Sequence, residues 1–580
     1  MKKIIVLFLV FLGCETSKKP TTFNFDTPFE TSKGLETATY TETITFYSEL
    51  AKTYTAIAID TIGETDAGKP LHLVTLNPDK DFNFDTLRKN KRILLINNGI
   101  HPGESDGIDA TMLLFRDLAN GKIKMPKNVV IATIPIYNIG GSLNRNKTTR
   151  TNQNGPKSYG FRGNARNYDL NRDFIKCDTK NAKTFTQIFH LVKPDVFIDN
   201  HVSNGADYQY TLTHLFTQHN KLGGALGAYL HTEMMPKLED KLAKKNWDIT
   251  PYVNVFNTVP ENGFSQFMDY PRYSTGYTTL FNCLGMMVET HMLKPYKQRV
   301  EGTYELMKSM IEIIETDAKN IKTLRENTLT SMDKQTHYTL DWDIDSSQTS
   351  HLNFKGYDAD VLKSEITGLN RLKYDRSRQF TKVVNYQNFF KQKLKVEIPS
   401  AYIIPQGWHN VIAILRLNQV KMTAFEKDTI LNVEAYDIKK YETRNAPYEG
   451  HYQHYNVDVT SSKSLKQFRK GDYLIKTNQY AFRYLMATLE PQAPDSFFNW
   501  NFFDTVLQQK EGFSPYVWED KALELLKNNP KLKKEFEHRK DDLTTFKNDS
   551  YAQLDWLHKQ SEHYETAHLQ YPVFRIHHTN

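Results

Sequence analysis

The chain has 580 residues, of which 39% are hydrophobic and 24% are charged, and its formal net charge at pH 7 is +7. This composition supports a sizeable core and excludes a largely disordered chain. Because the basic residues form no stripe interleaved with aromatic residues, no nucleic-acid-binding face is predicted.

The N-terminal segment MKKIIVLFLVFLGC has a lysine pair followed by an apolar run that ends at Gly13 and Cys14. The run is too short for a permanent membrane-spanning helix but suits a secretory signal. Its end resembles a bacterial lipobox, although Phe11 stands where leucine is usual. The resemblance implies a signal peptide over 1–13 and a lipidated Cys14, so that acyl chains would be the only membrane attachment. An ordinary signal peptide cleaved nearby is the alternative.

A polar stretch rich in Thr, Ser and Lys follows, and it predicts a tether over 14–35. After Cys14 only Cys177 and Cys283 remain, so a disulfide framework is not expected. Whether these two cysteines pair is left open by the sequence.

Residues 36–330 alternate between short apolar runs and helical patterns. Ile108, Met112, Phe115 and Leu118 share one helix face, and a long helix is predicted around 307–321. The runs that predict buried strands are LHLVTL (71–76), RILLINN (92–98), NVVIATIPIY (128–137), DVFIDN (195–200) and LGMMVET (284–290). This alternation predicts an α/β domain with a mixed, mostly parallel central sheet and helices on both faces.

Beyond 330 the pattern changes. Strand-like segments at 394–398, 401–405 and 429–438 predict a β-rich accessory region over 331–464. Residues 465–580 are predicted to be helical and rich in aromatic residues, and the aromatic run SFFNWNFF (496–503) is expected in the core.

A histidine and a glutamate share the tight turn that follows the predicted strand 92–98. His101 and Glu104 lie in the sequence HPGE, where both side chains can point to one place at the carboxyl edge of the sheet. A catalytic zinc ion takes three protein ligands and keeps one open position. His101 and Glu104 could therefore be two ligands of one zinc ion, and a surface turn that carries two polar residues by chance is the alternative.

The third ligand should come from another strand end. His201 ends the apolar run PDVFIDNH and is favoured over His214, which would more often be a plain polar residue. A general base is also needed, and Glu289 lies within an apolar strand. The alternative for Glu289 is a water-facing position on an edge strand, with His291 as its partner.

Three arginines crowd the segment GFRGNARNYDLNRDF (160–174): Arg162, Arg166 and Arg172. A guanidinium group binds carboxylates with two parallel hydrogen bonds and stabilises developing oxyanions. The segment could hold an anionic peptide end or a tetrahedral intermediate, and a solvated loop is the alternative.

The order of these motifs resembles the M14 class of zinc metallocarboxypeptidases, from HPGE through DLNRDF to a histidine after a strand and a glutamate on a late strand. The resemblance covers roughly 40–325. It implies that His101, Glu104 and His201 bind zinc, that Glu289 is the general base, and that Asn171 and Arg172 bind the terminal carboxylate of a peptide.

The resemblance also implies two further roles, and each of them has more than one candidate residue. The oxyanion arginine is assigned to Arg162, with Arg145 and Arg150 as rivals. The substrate-capping tyrosine is assigned to Tyr273 rather than Tyr270, whereas Tyr277 could line the specificity pocket.

The sequence therefore predicts an exported zinc carboxypeptidase in the periplasm or outer membrane of a Gram-negative bacterium, acting on peptides with a free C-terminal carboxylate. One alternative is a deacylase or a peptidoglycan-stem peptidase of the same fold. The other is a metal-free lipoprotein that binds peptides or glycans. The HYQH sequence at 451–454 is interpreted as a strand with exposed histidines rather than as a second metal site.

Overall fold

A computed structural model describes residues 23–331 and 335–577, so the predicted signal peptide 1–13 and Cys14 lie outside the described residues. In these ranges no helix combines the length and the apolar character needed to cross a membrane.

The predicted tether is too long at its C-terminal end, because residues before 36 already pack on the body of the protein. Helix α1 (Pro28–Thr31) begins with a capping box between Thr27 and Glu30. Phe29 is buried, with its ring centroid 5.9 Å from that of Tyr296. Burial of an aromatic ring stabilises this contact, and a polar composition alone could not reveal it.

The first region, up to Ser331, contains strands and helices in alternation. Its strands are β1 (Ile57–Glu64), β2 (Pro70–Leu76), β3 (Arg92–Asn97), β4 (Val129–Ile134), β5 (Val196–Ser203), β6 (Leu212–Phe216), β7 (Ile249–Pro251), β8 (Phe264–Ser265) and β9 (Leu284–His291). Its remaining helices are α2 (Tyr40–Thr53), α3 (Phe84–Asn90), α4 (Asp106–Ala119), α5 (Ile139–Leu143), α6 (Lys180–Val192), α7 (His219–Leu222), α8 (Gly224–Tyr229), α9 (Met235–Ala243), α10 (Ser274–Thr279) and α11 (Tyr296–Ser331). Single 3₁₀ turns lie at Leu170–Arg172 and Pro260–Asn262, and a π turn lies at Leu230–Met234.

The central sheet has the strand order β1-β2-β4-β3-β5-β9-β6-β7 in the described part of the chain. The pairs β3 with β4, β3 with β5, β5 with β9 and β6 with β7 are parallel, and the other pairs are antiparallel. The prediction of a mixed, mostly parallel sheet is confirmed.

Helices cover both faces of this sheet, because its central strands are apolar on both sides. Along β3, Ile93 and Leu95 belong to one core and Leu94 and Ile96 to the other. Helices α4 and α11 contribute to the second core, and α6 contributes to the first. A parallel strand buried on both faces reads as a continuous apolar run, which is why the sequence predicted these strands.

The second region begins after the long helix α11. Its strands are β10 (His337–Ile344), β11 (Ser350–Lys363), β12 (Asn370–Gln387), β13 (Phe390–Glu397), β14 (Ala401–Ile404), β15 (Thr423–Ala424), β16 (Thr429–Thr443), β17 (His454–Phe468), β18 (Tyr473–Lys476) and β19 (Phe574–Ile576). Its helices are α12 (His409–Leu417), α13 (Phe482–Leu489), α14 (Pro515–Asn528), α15 (Pro530–Asp542), α16 (Thr544–Lys547) and α17 (Ser550–Lys559), with a 3₁₀ turn at Asp504–Leu507.

The two C-terminal regions expected from the sequence, 331–464 and 465–580, share one sheet of order β15-β18-β14-β19-β16-β17. Strand β17 crosses the expected boundary, and β18 and β19 lie in the part expected to be helical. Pairing between distant strands, which has no local sequence signal, joins the two parts. Helices α14 to α17 form a small cluster with a core of its own.

The accessory region is packed directly against the first region. Phe497, Phe498, Trp500 and Phe503 of the aromatic run are buried in the same core as Phe185 and Phe189 of α6. The aromatic run is therefore core, as predicted. Strand β12 also pairs in parallel with β8, which joins the two regions by backbone hydrogen bonds.

Candidate metal centre and substrate cleft

A turn after β3 and the C-terminal part of β5 bring three polar side chains together. His101 and Glu104 lie on the turn between β3 and α4, where the Glu104 N–H donates to the His101 carbonyl oxygen at 2.8 Å. Gly99 begins this turn with φ +63°, a conformation that a side chain would strain. His201 lies on β5, next to β3 in the sheet.

The three side chains are buried, and each offers a ligand atom within 4.8 Å of the others. Nδ1 of His101 is 3.2 Å from Oε1 of Glu104, and Nδ1 of His201 is 3.1 Å from Oε2 of Glu104. The His101 Nδ1 atom is buried and has no hydrogen-bond partner. Two nitrogens and a carboxylate converging on one place form a donor set that suits a divalent cation.

Two further carboxylates orient the imidazole rings, and the sequence analysis did not identify them. Nε2 of His101 is 2.9 Å from Asp169, and Nε2 of His201 is 2.9 Å from Asp199. An ionised carboxylate only accepts hydrogen bonds, so each Nε2 carries a proton, and Nδ1 of each ring is the atom that would bind a metal. Asp199 could have been found, because it lies two residues before His201 on the same strand face.

The charges in this cluster are strongly coupled. Burial alone would raise the pKa of Glu104, yet that pKa lies well below its ordinary value because His101 and Arg150 are close to the carboxylate. Burial would also lower the pKa of His201, but Asp199 and Glu104 hold that pKa well above its ordinary value. The site therefore stabilises an ionised Glu104, the form that binds metal.

Glu289 lies on β9, which is an interior strand of the sheet. It is the register neighbour of His201 on β5 and of Thr213 on β6. The edge-strand alternative is therefore wrong. Burial raises the pKa of Glu289, and together with the opposing effect of His201 and the nearby carboxylates of Glu104 and Asp199 it brings that pKa to about 7.

His291, proposed as the alternative partner of Glu289, is buried beside other groups. Its Nε2 is 3.6 Å from Asp207, and its ring centroid is 4.3 Å from that of Tyr208. The side chain of Glu289 thus lines the cleft, and His291 is not its partner.

The arginines take separate positions. Arg150, Arg162 and Arg172 all line the cleft, so Arg150 stays a candidate for the oxyanion role beside Arg162. Arg162 Nε donates to Asp169 Oδ2 at 3.0 Å. Arg150 lies across Gly103, where an added Cβ would be 2.5 Å from the Arg150 side chain, and its Nη1 donates to Glu104 at 3.0 Å. Arg145 donates instead to backbone carbonyl groups and does not reach the cleft.

The substrate-binding candidates Asn171 and Tyr273 also line the cleft. The Arg172 guanidinium lies 4.6 Å from the ring centroid of Tyr273, and Asn171 Oδ1 accepts from the Ser274 N–H at 3.2 Å. Tyr270 donates to Asp341 outside the cleft.

Tyr277 does not line the specificity pocket, because it is fully buried and its hydroxyl donates to Asn418. Its ring packs against Phe189 and Phe281 in the apolar core.

The cleft has a volume of 610 Å³ and an apolar part beside the polar centre. Leu215 on β6 and Met287 on β9 are direct cross-strand partners. Phe267 packs edge-on against Tyr273 with ring centroids 5.0 Å apart. These apolar residues carried no functional signal in the sequence, since they read as ordinary strand or loop residues.

The other candidate histidines have partners outside the cleft, and the two cysteines do not form a disulfide. His214 bonds Glu239 at 2.8 Å. His451 lies in a turn and bonds Asp178, and His454 is buried at the start of β17, so the interpretation as exposed strand histidines is wrong. In the described ranges, the only cluster with metal-ligand spacing is the one at His101. Cys177 and Cys283 are buried and unpaired.

The chain is similar to known peptidases. A family model described as zinc carboxypeptidase matches residues 43–194. The carboxypeptidase 2 of Trichophyton equinum is 22% identical over 436 residues, which cover 69% of this chain and 72% of that protein. The carboxypeptidase 2 of Trichophyton rubrum is 21% identical over 434 residues, with the same coverage.

The chain is also similar to solved structures, among them a metallo-carboxypeptidase from Burkholderia cenocepacia. It is 17% identical, its TM-score is 0.37, and the match covers 48% of this chain and 69% of that one. Carboxypeptidase A from Helicoverpa armigera is 13% identical with a TM-score of 0.37, covering 49% of this chain and 74% of that one.

Proposed function

We propose that this chain is a zinc carboxypeptidase of the M14 family, which uses one zinc ion to remove the C-terminal residue from peptides. The observation that carries the proposal is the cluster of His101, Glu104 and His201, whose donor atoms converge beside Glu289 in a cleft that also contains Arg172. The unpartnered Nδ1 of His101 supports a metal at this place.

In this proposal His101, Glu104 and His201 hold the zinc ion. When bound, zinc would act as a Lewis acid and bring the pKa of water into the neutral range. Glu289 would take a proton from the attacking water and give it to the leaving amine. Arg162 faces the same space and would stabilise the developing oxyanion.

The other end of the cleft would hold the substrate in place. Arg172 and Asn171 would bind the free α-carboxylate, and Tyr273 would close over the terminal residue. Orientation of the scissile bond by this anchor lowers the entropic part of the barrier.

We further propose a preference for apolar C-terminal residues. Leu215, Met287 and Phe267 line the cleft, whereas its only acidic residues among those described are Glu104 and Glu289. A lysine or arginine at the substrate's C-terminus would therefore be buried without a counter-charge, which is unfavourable.

The test is digestion of a peptide set ending in Phe, Leu, Asp or Lys, each with a free and an amidated C-terminus. We expect release of a single residue from the free peptides ending in Phe and Leu, and loss of cleavage after chelation with restoration by zinc. Equal cleavage of the amidated peptides would instead favour a deacylase or endopeptidase of the same fold. Purified protein that binds peptides but neither binds zinc nor cleaves them would favour the metal-free binding alternative.

Export and lipidation at Cys14 are proposals supported by the N-terminal sequence alone. Mass spectrometry of the mature protein from a membrane fraction should find an acylated Cys14 as the first residue. A mature N-terminus at another position would support an ordinary signal peptide.

A further inference from the structure

One wall of the cleft is supported by a turn from the accessory region. We call residues 445–452, between β16 and β17, the accessory turn. Its Glu449 accepts a hydrogen bond from the Asp169 N–H at 2.9 Å, across 280 positions of the chain. Its His451 is 2.8 Å from Asp178, at the other end of the same segment.

The accessory turn packs closely against the segment 168–178, which contains both Asp169 and Asp178. Glu449 and Gly450 both have positive φ values, +48° and +81°. A Cβ on Gly450 would lie 2.5 Å from the Tyr168 hydroxyl oxygen, so no side chain could be accommodated there without movement. A left-handed pair of residues turns the backbone sharply, and this turn brings the Glu449 carboxylate to the Asp169 amide.

A buried ion cluster within the segment 168–178 also holds it in place. Lys176 is fully buried and donates to Asp173 at 2.8 Å and to Asp178 at 2.6 Å. Its ammonium group lies 5.5 Å from the ring centroid of Trp500, which belongs to the accessory region. The segment therefore has little freedom to move away from the accessory turn.

Asp169 is the group through which this contact reaches the cleft. Its Oδ1 faces His101 Nε2 at 2.9 Å and accepts the Asn171 N–H at 2.9 Å. Its Oδ2 accepts from Arg162 Nη2 at 2.8 Å. One carboxylate thus orients a metal-ligand candidate, the oxyanion arginine and the carboxylate anchor.

We propose that Glu449 is a positioning residue of the catalytic centre, which fixes the backbone of Asp169 and through it the ring of His101. The accessory region then completes the peptidase cleft instead of acting as a separate appendage. This inference rests on the proposed function, because it assumes that His101 binds zinc and that Arg162 acts on the substrate.

The experiment compares Glu449 variants of the full-length protein with a matched control. Glu449→Ala removes the acceptor, Glu449→Gln keeps an oxygen at the same reach, and Glu449→Asp keeps the charge but shortens the side chain. Glu442→Ala is the control, because Glu442 lies on the neighbouring β16 and its side chain bonds Asn456. The readouts are the zinc dissociation constant from chelator competition, kcat and KM, and the melting temperature.

Loss of a group that orients a metal ligand typically weakens metal binding by about 10-fold to 100-fold. We expect such a loss in Glu449→Ala, a smaller loss in Glu449→Asp, and values within about twofold of the unmodified protein in Glu449→Gln and Glu442→Ala. A purely structural role would lower the melting temperature and leave zinc affinity at low temperature unchanged.

Three outcomes overturn the inference. Unchanged zinc affinity in Glu449→Ala, or in Glu449→Asp should the alanine variant not fold, would show that Glu449 does not position the site. Unmodified protein that neither binds zinc nor cleaves peptides would remove the proposed function and this inference with it. An active unmodified protein with an equally active Glu449→Ala variant would remove the inference alone.

Discussion

Replacing Arg172 with alanine should weaken catalysis only for substrates that carry a free C-terminal carboxylate. Arg172 is held on the cleft wall by the ring of Tyr273 and by a 2.8 Å hydrogen bond from its Nη1 to the Asn171 carbonyl oxygen. Its side chain keeps 22% of its surface exposed. The guanidinium group is therefore oriented before substrate arrives and still has donors to offer.

The size of the effect follows from the hydrogen bonds that Arg172 can form. A guanidinium fork can donate two charge-assisted hydrogen bonds to one carboxylate. At about 1.5 kcal/mol for each bond, their loss removes about 3 kcal/mol. This corresponds to a fall of roughly 10²-fold in kcat/KM.

The assay measures kcat/KM on one peptide in its free and its C-terminally amidated form. In the unmodified protein the free peptide should be strongly preferred, and in Arg172→Ala the two rates should converge. Arg166→Ala is the matched control, because Arg166 is an exposed arginine of the same segment that stacks on Tyr168 outside the cleft. A fall of equal size for both peptides would refute the anchoring role of Arg172.

Three other variants test the remaining parts of the site and its support. Glu289→Gln should keep zinc, measured by metal analysis, and lose about 10²-fold to 10⁴-fold in kcat; near-normal turnover would refute the role of Glu289 as base. His101→Ala should lose zinc itself, and a stoichiometry near one zinc per chain would refute its assignment as a ligand. Asp109, fully buried on α4, has a pKa raised by burial to about 6. Asp109 binds its proton more tightly in the folded protein than in the unfolded chain, where its pKa is about 3.9. The free energy of unfolding therefore falls as pH rises from about 4 through 6, by roughly 3 kcal/mol in total. The melting temperature of Asp109→Asn relative to the unmodified protein should therefore rise between pH 4 and pH 7, and a constant difference would contradict this.

The sequence predicted the parts of the fold and the site that depend on local patterns. The strands β3, β5 and β9 are continuous apolar runs, and polar residues at the ends of such runs were expected to meet at one edge of the sheet. His101, Glu104, His201 and Glu289 do lie together at this edge.

The contacts between distant parts of the chain could not be predicted in the same way. Glu449 reaches Asp169 through a turn whose position depends on the pairing of β16 with β17 and on the packing of Trp500. Strand β17 crosses the expected regional boundary for the same reason. Phe29, in a stretch of polar composition, is buried because a single aromatic residue is enough to dock a short helix.

Strand β19 lies between β14 and β16 in the accessory sheet, although in the chain it follows the whole helical cluster α14 to α17. Strands β14 and β16 therefore come long before the strand that fits between them in any process that delivers the chain from its N-terminus. The sheet that supports the accessory turn can close only once residues 574–576 are available to pair with both strands. A chain cut short before these residues would leave the accessory turn, and with it the contact to Asp169, without its complete sheet.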